Sequence, residues 1–388
     1  MTIFVNKLHS VFFKYHLKRL LNHLATVDGG KNLFGITTRP GESTVKSDPS
    51  FHDGVATKDL HISSSSSLSV RIFLPVSALS LATQDLNRTV YGGYFPSLEA
   101  VKRGRKLPVV LQFHGSGFVS GSNESIENDA FCRKVAKQWD SIVVAVGYRL
   151  APETKYPGAF DDGHTVLNWL AKQFNLAAYI KAGPQGHIFD SFGASMADPW
   201  LTAHADPSRC VLLGICSGAN IANQVSRKFA DSDEKLIEPL KIVAQVLLYP
   251  FFIGSRGIRI EETLNSYIWD KEMCIMAWKL FFTEAEFDVD HPAANPLAGG
   301  RHQKTLHRMP PTLTVVADDD FMRERAVVYI EELRKVKVDA HVIHYKNAVH
   351  GFATIGPLLH TKQAQACSED IAIWVKKYIS LRGYEFSY

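Results

Sequence analysis

The chain has 388 residues, 43 lysines and arginines against 39 acidic residues, a net charge of +4, and 46% hydrophobic and 21% charged residues. These proportions are those of a globular protein with material for a large core. No basic patch is interleaved with aromatics, which excludes a nucleic-acid reading, and no apolar run reaches the roughly 20 residues that span a bilayer, which excludes stable membrane insertion. Cys132, Cys210, Cys216, Cys274 and Cys367 are odd in number with no C-x-x-C pair, against both a disulfide framework and a zinc site. A reducing, cytoplasmic compartment follows, with no cofactor and no metal. The triplets Asn87-Arg88-Thr89 and Asn123-Glu124-Ser125 fit N-x-S/T, but such triplets arise often by chance, and no N-terminal stretch reads as a secretory signal.

In chain order, residues 1–27 place Phe4, Leu8, Val11, Phe12, Leu17, Leu20, Leu21 and Leu24 at helical spacing, with Lys7, Lys14, Lys18 and Arg19 and no acid. Such an amphipathic helix serves as a cap over a site, a membrane-surface helix or a transit peptide. The scarcity of Ser and the single Arg weaken the transit reading, so residues 1–50 are expected to form a cap segment ahead of a main domain, 51–388. Residues 28–57, rich in Gly, Thr, Pro, Asp and Ser, read as an extended crossing. Alternation over Thr57–Ile62 and Leu68–Leu74, around Ser63–Ser67, predicts a hairpin of two edge strands. Residues 76–106 end in Lys102-Arg103-Gly104-Arg105-Lys106 and read as a solvated loop.

Short apolar strands then alternate with helical stretches. Leu107–Phe113 leads into His114-Gly115-Ser116-Gly117-Phe118, Asp129–Gln138 is helical, and Ile142–Tyr148 is the next strand. A helix near Asp161–Phe174 precedes a strand beginning at Cys210. Val243–Leu248, Pro311–Ala317 and Ala340–Tyr345 are further strands, with a helix to about Lys335 and a last one near Ala364–Leu381. Residues 251–300 read as a helical insertion completing the cap. This alternation predicts an α/β fold, a mostly parallel sheet with helices on both faces.

The densest signal is Gly214-Ile215-Cys216-Ser217-Gly218, between an apolar strand and a helix. Glycines two places either side of a reactive residue mark a nucleophile elbow, whose central residue is strained and whose flanks have no room for side chains. That centres the turn on Cys216. Ser217 is the alternative nucleophile, but it would place Ile215 where a small residue is needed. Cys216, Asp320 and His350 each follow a strand's C-terminal end, in the chain order of α/β-hydrolase triads. In that arrangement His350 takes the thiol proton and later protonates the leaving group, while Asp320 orients the ring. Asp318 and Asp319 compete with Asp320 for this place. The oxyanion hole draws on the backbone N–H groups of Gly115, Ser116 and Ser217.

With His114-Gly115-Ser116-Gly117-Phe118, Tyr148-Arg149-Leu150-Ala151-Pro152-Glu153, the elbow, Asp320 with Arg323, and His350-Gly351-Phe352, the chain from about residue 50 resembles the plant carboxylesterases of the hormone-sensitive-lipase type, a superfamily that includes the gibberellin receptors. The resemblance implies an α/β-hydrolase fold and hydrolysis of small carboxylic esters. Residues 1–27 and Leu381–Tyr388 are similar to one subgroup of that family. Two departures stand out: the family loop is H-G-G-G where this chain has Ser116, and the family elbow centres on Ser where this chain has Cys216. Three functions therefore compete. A hydrolase acts through an acyl-enzyme on Cys216, with the cap aromatics implying an apolar pocket. A receptor keeps the pocket without turnover, and a cyclase or lyase uses His350 as a base.

Overall fold

The computed structural model describes residues 3–26, 39, 42–62, 67–79, 89–90, 93–97, 100, 104–182, 197–231, 238–255, 267–298 and 305–380. In chain order these form α1 (Ile3–Thr26), β1 (Val55–His61), β2 (Ser69–Pro75), a two-stranded ribbon of β3 (Thr89–Val90) and β4 (Gly93–Tyr94), β5 (Leu107–Phe113), α2 (Ile126–Trp139), β6 (Ile142–Gly147), α3 (Gly158–Ala182) and α4 (Pro199–His204). There follow β7 (Ala205–Ile215), α5 (Ser217–Asp231), β8 (Ile242–Leu248), α6 (Lys271–Phe281), β9 (Thr312–Asp319), α7 (Arg323–Lys335), β10 (Ala340–Val349) and α8 (Lys362–Ile379).

The main sheet has the order β1-β2-β6-β5-β7-β8-β9-β10. β2 runs antiparallel to both β1 and β6, and the remaining pairings are parallel. Strands covered on both faces need apolar side chains at every position, and all of Leu107–Phe113 is buried accordingly. The exception, Gln112, is satisfied by Asn128 at 2.8 Å, because an unpaired amide in that core would cost more than the bond returns. α2 packs against α8, and α3 against α5. This is a mostly parallel sheet with helices on both faces.

Several boundaries differ from the expectations. β2 is no edge strand: it lies between β1 and β6 and is buried from Val70 to Pro75, and alternation alone does not distinguish an inner strand from an edge. β7 begins at Ala205 rather than Cys210, with a register shift opposite Pro108 and Val109. The end of the 102–106 charge run is tied to the fold, although Arg105 stays exposed. Arg105 pairs with Asp140, and Lys106 Nζ donates to the carbonyls of Thr202, at 3.0 Å, and Ala203. Lys102 and Arg103 lie outside the described residues, as do residues 28–38 of the crossing segment, Ser63–Ser66, Asn87 and Arg88, parts of the 251–300 insertion (256–266 and 299–300), and the final 381–388.

Candidate active site

Four strand ends converge at the carboxyl edge of the sheet. β7 stops at Ile215, α5 starts at Ser217, and Cys216 alone makes the turn, at φ 51°. That left-handed backbone is held by three bonds. Cys216 N–H donates to Leu248 C=O at 2.8 Å, and Cys216 C=O accepts from Ala219 at 3.0 Å and Phe251 at 3.2 Å. The flanking glycines have no alternative. A β-carbon at 214 would stand 2.4 Å from Ala219 Cα, and one at 218 would stand 2.2 Å from Phe113 O on β5. Ser217, fully buried, has its Oγ 3.4 Å from Tyr148 Oη.

His350 follows β10, and its Nδ1 lies 2.7 Å from Asp320 Oδ2, both side chains being almost wholly buried. Register explains the meeting. Tyr345 faces Ala317 but Val349 faces Asp319, so an irregularity that includes Asn347 at φ 54° takes up two residues of β10 and brings His350 level with Asp320. Of the three aspartates, Asp318 pairs with Arg323 at 3.3 Å and Asp319 with Lys7 at 3.1 Å. Asp320 is the one on the imidazole, its other oxygen accepting from Met322 N–H at 3.1 Å. Cys216 and His350 line the same cavity, and the Cys216 sulfur acts electrostatically on the ring. Burial by itself would lower the His350 pKa, but the Asp320 carboxylate, the Cys216 sulfur and the hydrogen bond to Asp320 raise it to about 10.

The loop after β5 lies against the elbow, since a β-carbon on Gly115 would come within 3.1 Å of Cys216 Cβ. Its far side meets Trp269, 2.5 Å from where a Gly117 β-carbon would be. Tyr148 pins it by donating to His114 C=O at 2.9 Å and stacking on the His114 ring at 4.2 Å. Among the described residues no protein group accepts from the N–H of Gly115, Ser116 or Ser217. Ser116 stands at φ 88°, where glycine would be unstrained. Ser116→Gly is therefore expected to stabilise the fold by about 1 kcal/mol, read as a raised urea midpoint; an unchanged or lower midpoint would mean that the hydroxyl offsets the strain.

Cys216, His350, Ser116 and Trp269 open onto a cavity of about 860 Å³. One wall comes from α1 (Phe12, Phe13, His16, Leu17, Arg19, Leu20, His23) and another is polar (Arg39, Glu42, Ser43, Ser120, Glu127, Asn128). α1 packs on α6 and is tied down by Lys7–Asp319, Lys14–Asp270 at 2.9 Å and Lys18–Glu272 at 3.6 Å. The apolar part of the lining draws on both cap segments, with Phe12, Phe13, Leu17 and Leu20 from one and Ile268 and Trp269 from the other. Phe281 stacks on Phe118 at 4.1 Å and Trp278 on Phe282 at 5.3 Å, all four buried in the core, whereas Trp269 reaches the cavity. Sequence reasoning also missed Arg39, inside the stretch read as a crossing. Its buried guanidinium donates to the carbonyls of Val119 and Ala151, both at 2.6 Å, and to Glu153. Nothing local marks it, since its partners are more than 70 residues away.

A strained residue between parallel strand and helix, with an acid and a histidine on the next loops of the sheet, belongs to the α/β-hydrolase architecture. Residues 110–354 match the family described as alpha/beta hydrolase fold, and the chain belongs to that family. Within it the chain is a homologue of plant carboxylesterases. It is 53% identical to Probable carboxylesterase 16 of Arabidopsis thaliana over 98% of this chain and 99% of that protein. It is 30% identical to the gibberellin receptor GID1A of the same plant, over 77% of this chain and 76% of the receptor. Among solved structures, carboxyl esterase 2 from Tuber melanosporum is 20% identical, with a TM-score of 0.62 over 94% of this chain and 98% of the esterase.

Proposed function

We propose that the protein hydrolyses small carboxylic esters through an acyl-enzyme on Cys216. The observation that carries this reading is the buried His350–Asp320 pair on the same cavity wall as Cys216 at the elbow, in a cavity large enough for a small ester. His350 takes the thiol proton, and the thiolate attacks the ester carbonyl carbon. The resulting oxyanion meets the N–H groups of Gly115, Ser116 and Ser217. On collapse the C–O bond breaks and the alkoxide leaves with the proton from His350. Water then attacks the thioester, returning a proton to His350 and releasing the carboxylic acid and Cys216. Asp320 holds the ring and balances its charge. α1 and the α6 region act as the cap, and the free, buried cysteines support a reducing compartment such as the cytoplasm.

The test is turnover of p-nitrophenyl acetate and butyrate by the full chain. Saturable release of p-nitrophenol supports the reading, and a rate no higher than the buffer's sinks it. The α1 wall over the cavity favours one competitor, a binding protein, which would retain the ester without turnover. The raised His350 pKa also sets a pH dependence. In the unfolded chain His350 titrates near its ordinary value of about 6.5. Its protonated pairing with Asp320 therefore contributes stability that is full below about pH 6.5 and is lost as pH rises through about 10. The urea midpoint of the protein is expected to fall more steeply between pH 7 and 10 than that of Asp320→Asn. Parallel curves would show that the pair carries no such linkage.

A further inference from the structure

The outer face of α1 takes no part in the chemistry above. Leu8, Val11, Phe12 and Tyr15 recur at helical spacing and are 61%, 52%, 64% and 64% exposed, while the opposite face buries Leu17, Leu21 and Leu24. An apolar stripe of this kind, continuous along a helix, marks an interaction surface. Charge sets what covers it. α1 carries no acidic residue. Lys7 and Lys14 turn onto Asp319 and Asp270, whereas Lys18, in a 3.6 Å pair with the exposed Glu272, stays exposed beside the stripe with Arg19, His9, His16 and His23. Aliphatic and aromatic side chains flanked by the exposed basic residues Lys18 and Arg19 match an anionic lipid surface. The rings sit at headgroup depth, and the long basic stems reach up to phosphate and carboxylate. Phe12, His16 and Arg19 also line the cavity, so the same face lies beside its wall.

We propose that α1 is a membrane-surface helix whose Leu8, Val11, Phe12 and Tyr15 stripe docks the protein on an anionic bilayer, with the capped cavity turned toward the lipid. The test is co-sedimentation of the full chain with vesicles of phosphatidylcholine, alone or mixed with phosphatidylserine. Binding is expected to be at least about tenfold stronger on the mixed vesicles and to weaken as salt is added. The Leu8→Ser/Val11→Ser/Tyr15→Ser variant, whose three positions do not line the cavity, is expected to bind at least about tenfold more weakly at an unchanged thermal midpoint. Lys18→Gln tests the charge separately and is expected to flatten the salt dependence. The proposal is overturned if the protein stays in the supernatant with both vesicle types, binds both equally, or pellets as well with the stripe replaced. Such results would leave the stripe to a protein partner.

Discussion

Replacing Cys216 with alanine is expected to lower kcat/KM for p-nitrophenyl butyrate by roughly three to four orders of magnitude, and His350→Ala by a similar factor. The double variant should fall little further, because a nucleophile and its base act as one unit. Ser217→Ala is expected to cost less than about tenfold. Its side chain faces Tyr148, and alanine keeps the main-chain N–H assigned to the oxyanion. Reactivity adds a second reading of the same site. Burial pushes the Cys210 and Cys367 thiols up to about 12 and raises those of Cys132 and Cys274 as well, so these remain protonated at neutral pH. Cys216 alone of the five lines the cavity, with His350 on the same wall. Iodoacetamide is expected to label it first, and His350→Ala to slow that labelling. Turnover that survives Cys216→Ala but not Ser217→Ala would move the nucleophile to Ser217.

Gly218→Ala is expected to destabilise the fold by at least about 3 kcal/mol and to abolish turnover. The added β-carbon would stand 2.2 Å from Phe113 O and 2.3 Å from His114 O. Both are backbone atoms, one in a central strand and one in the loop beside the elbow, so neither can move without parting α5 from β5. Gly356→Ala is the control: its nearest neighbour would be Glu127 Cγ at 3.7 Å, ordinary contact, and the change in stability should stay within about 0.5 kcal/mol. Urea midpoints measure both. A Gly218→Ala protein with the parental midpoint would mean that the elbow can open at little cost.

What the sequence determined by itself was the alternation of strands and helices and the place of the elbow. Buried parallel strands are nearly continuous apolar runs, so Leu107–Phe113 and Val243–Leu248 read as strands without their neighbours, Gln112 and Gln245 aside. The spacing of Gly214 and Gly218 singled out position 216, because the clashes that forbid side chains there arise from the adjoining strand and helix. The order of Cys216, Asp320 and His350 along the chain was equally legible. Only the tertiary structure decided which of three adjacent aspartates meets the imidazole. Asp318, Asp319 and Asp320 are the same chemistry one residue apart, and the choice falls to the β10 irregularity that sets His350 level with Asp320, with Arg323 and Lys7 drawing the others away. The cavity wall was likewise beyond local reading. Whether α1 covers the site, and whether Trp269 or Trp278 reaches it, depends on packing between segments some 250 residues apart, and helical periodicity records only that a face is apolar, not what it packs against.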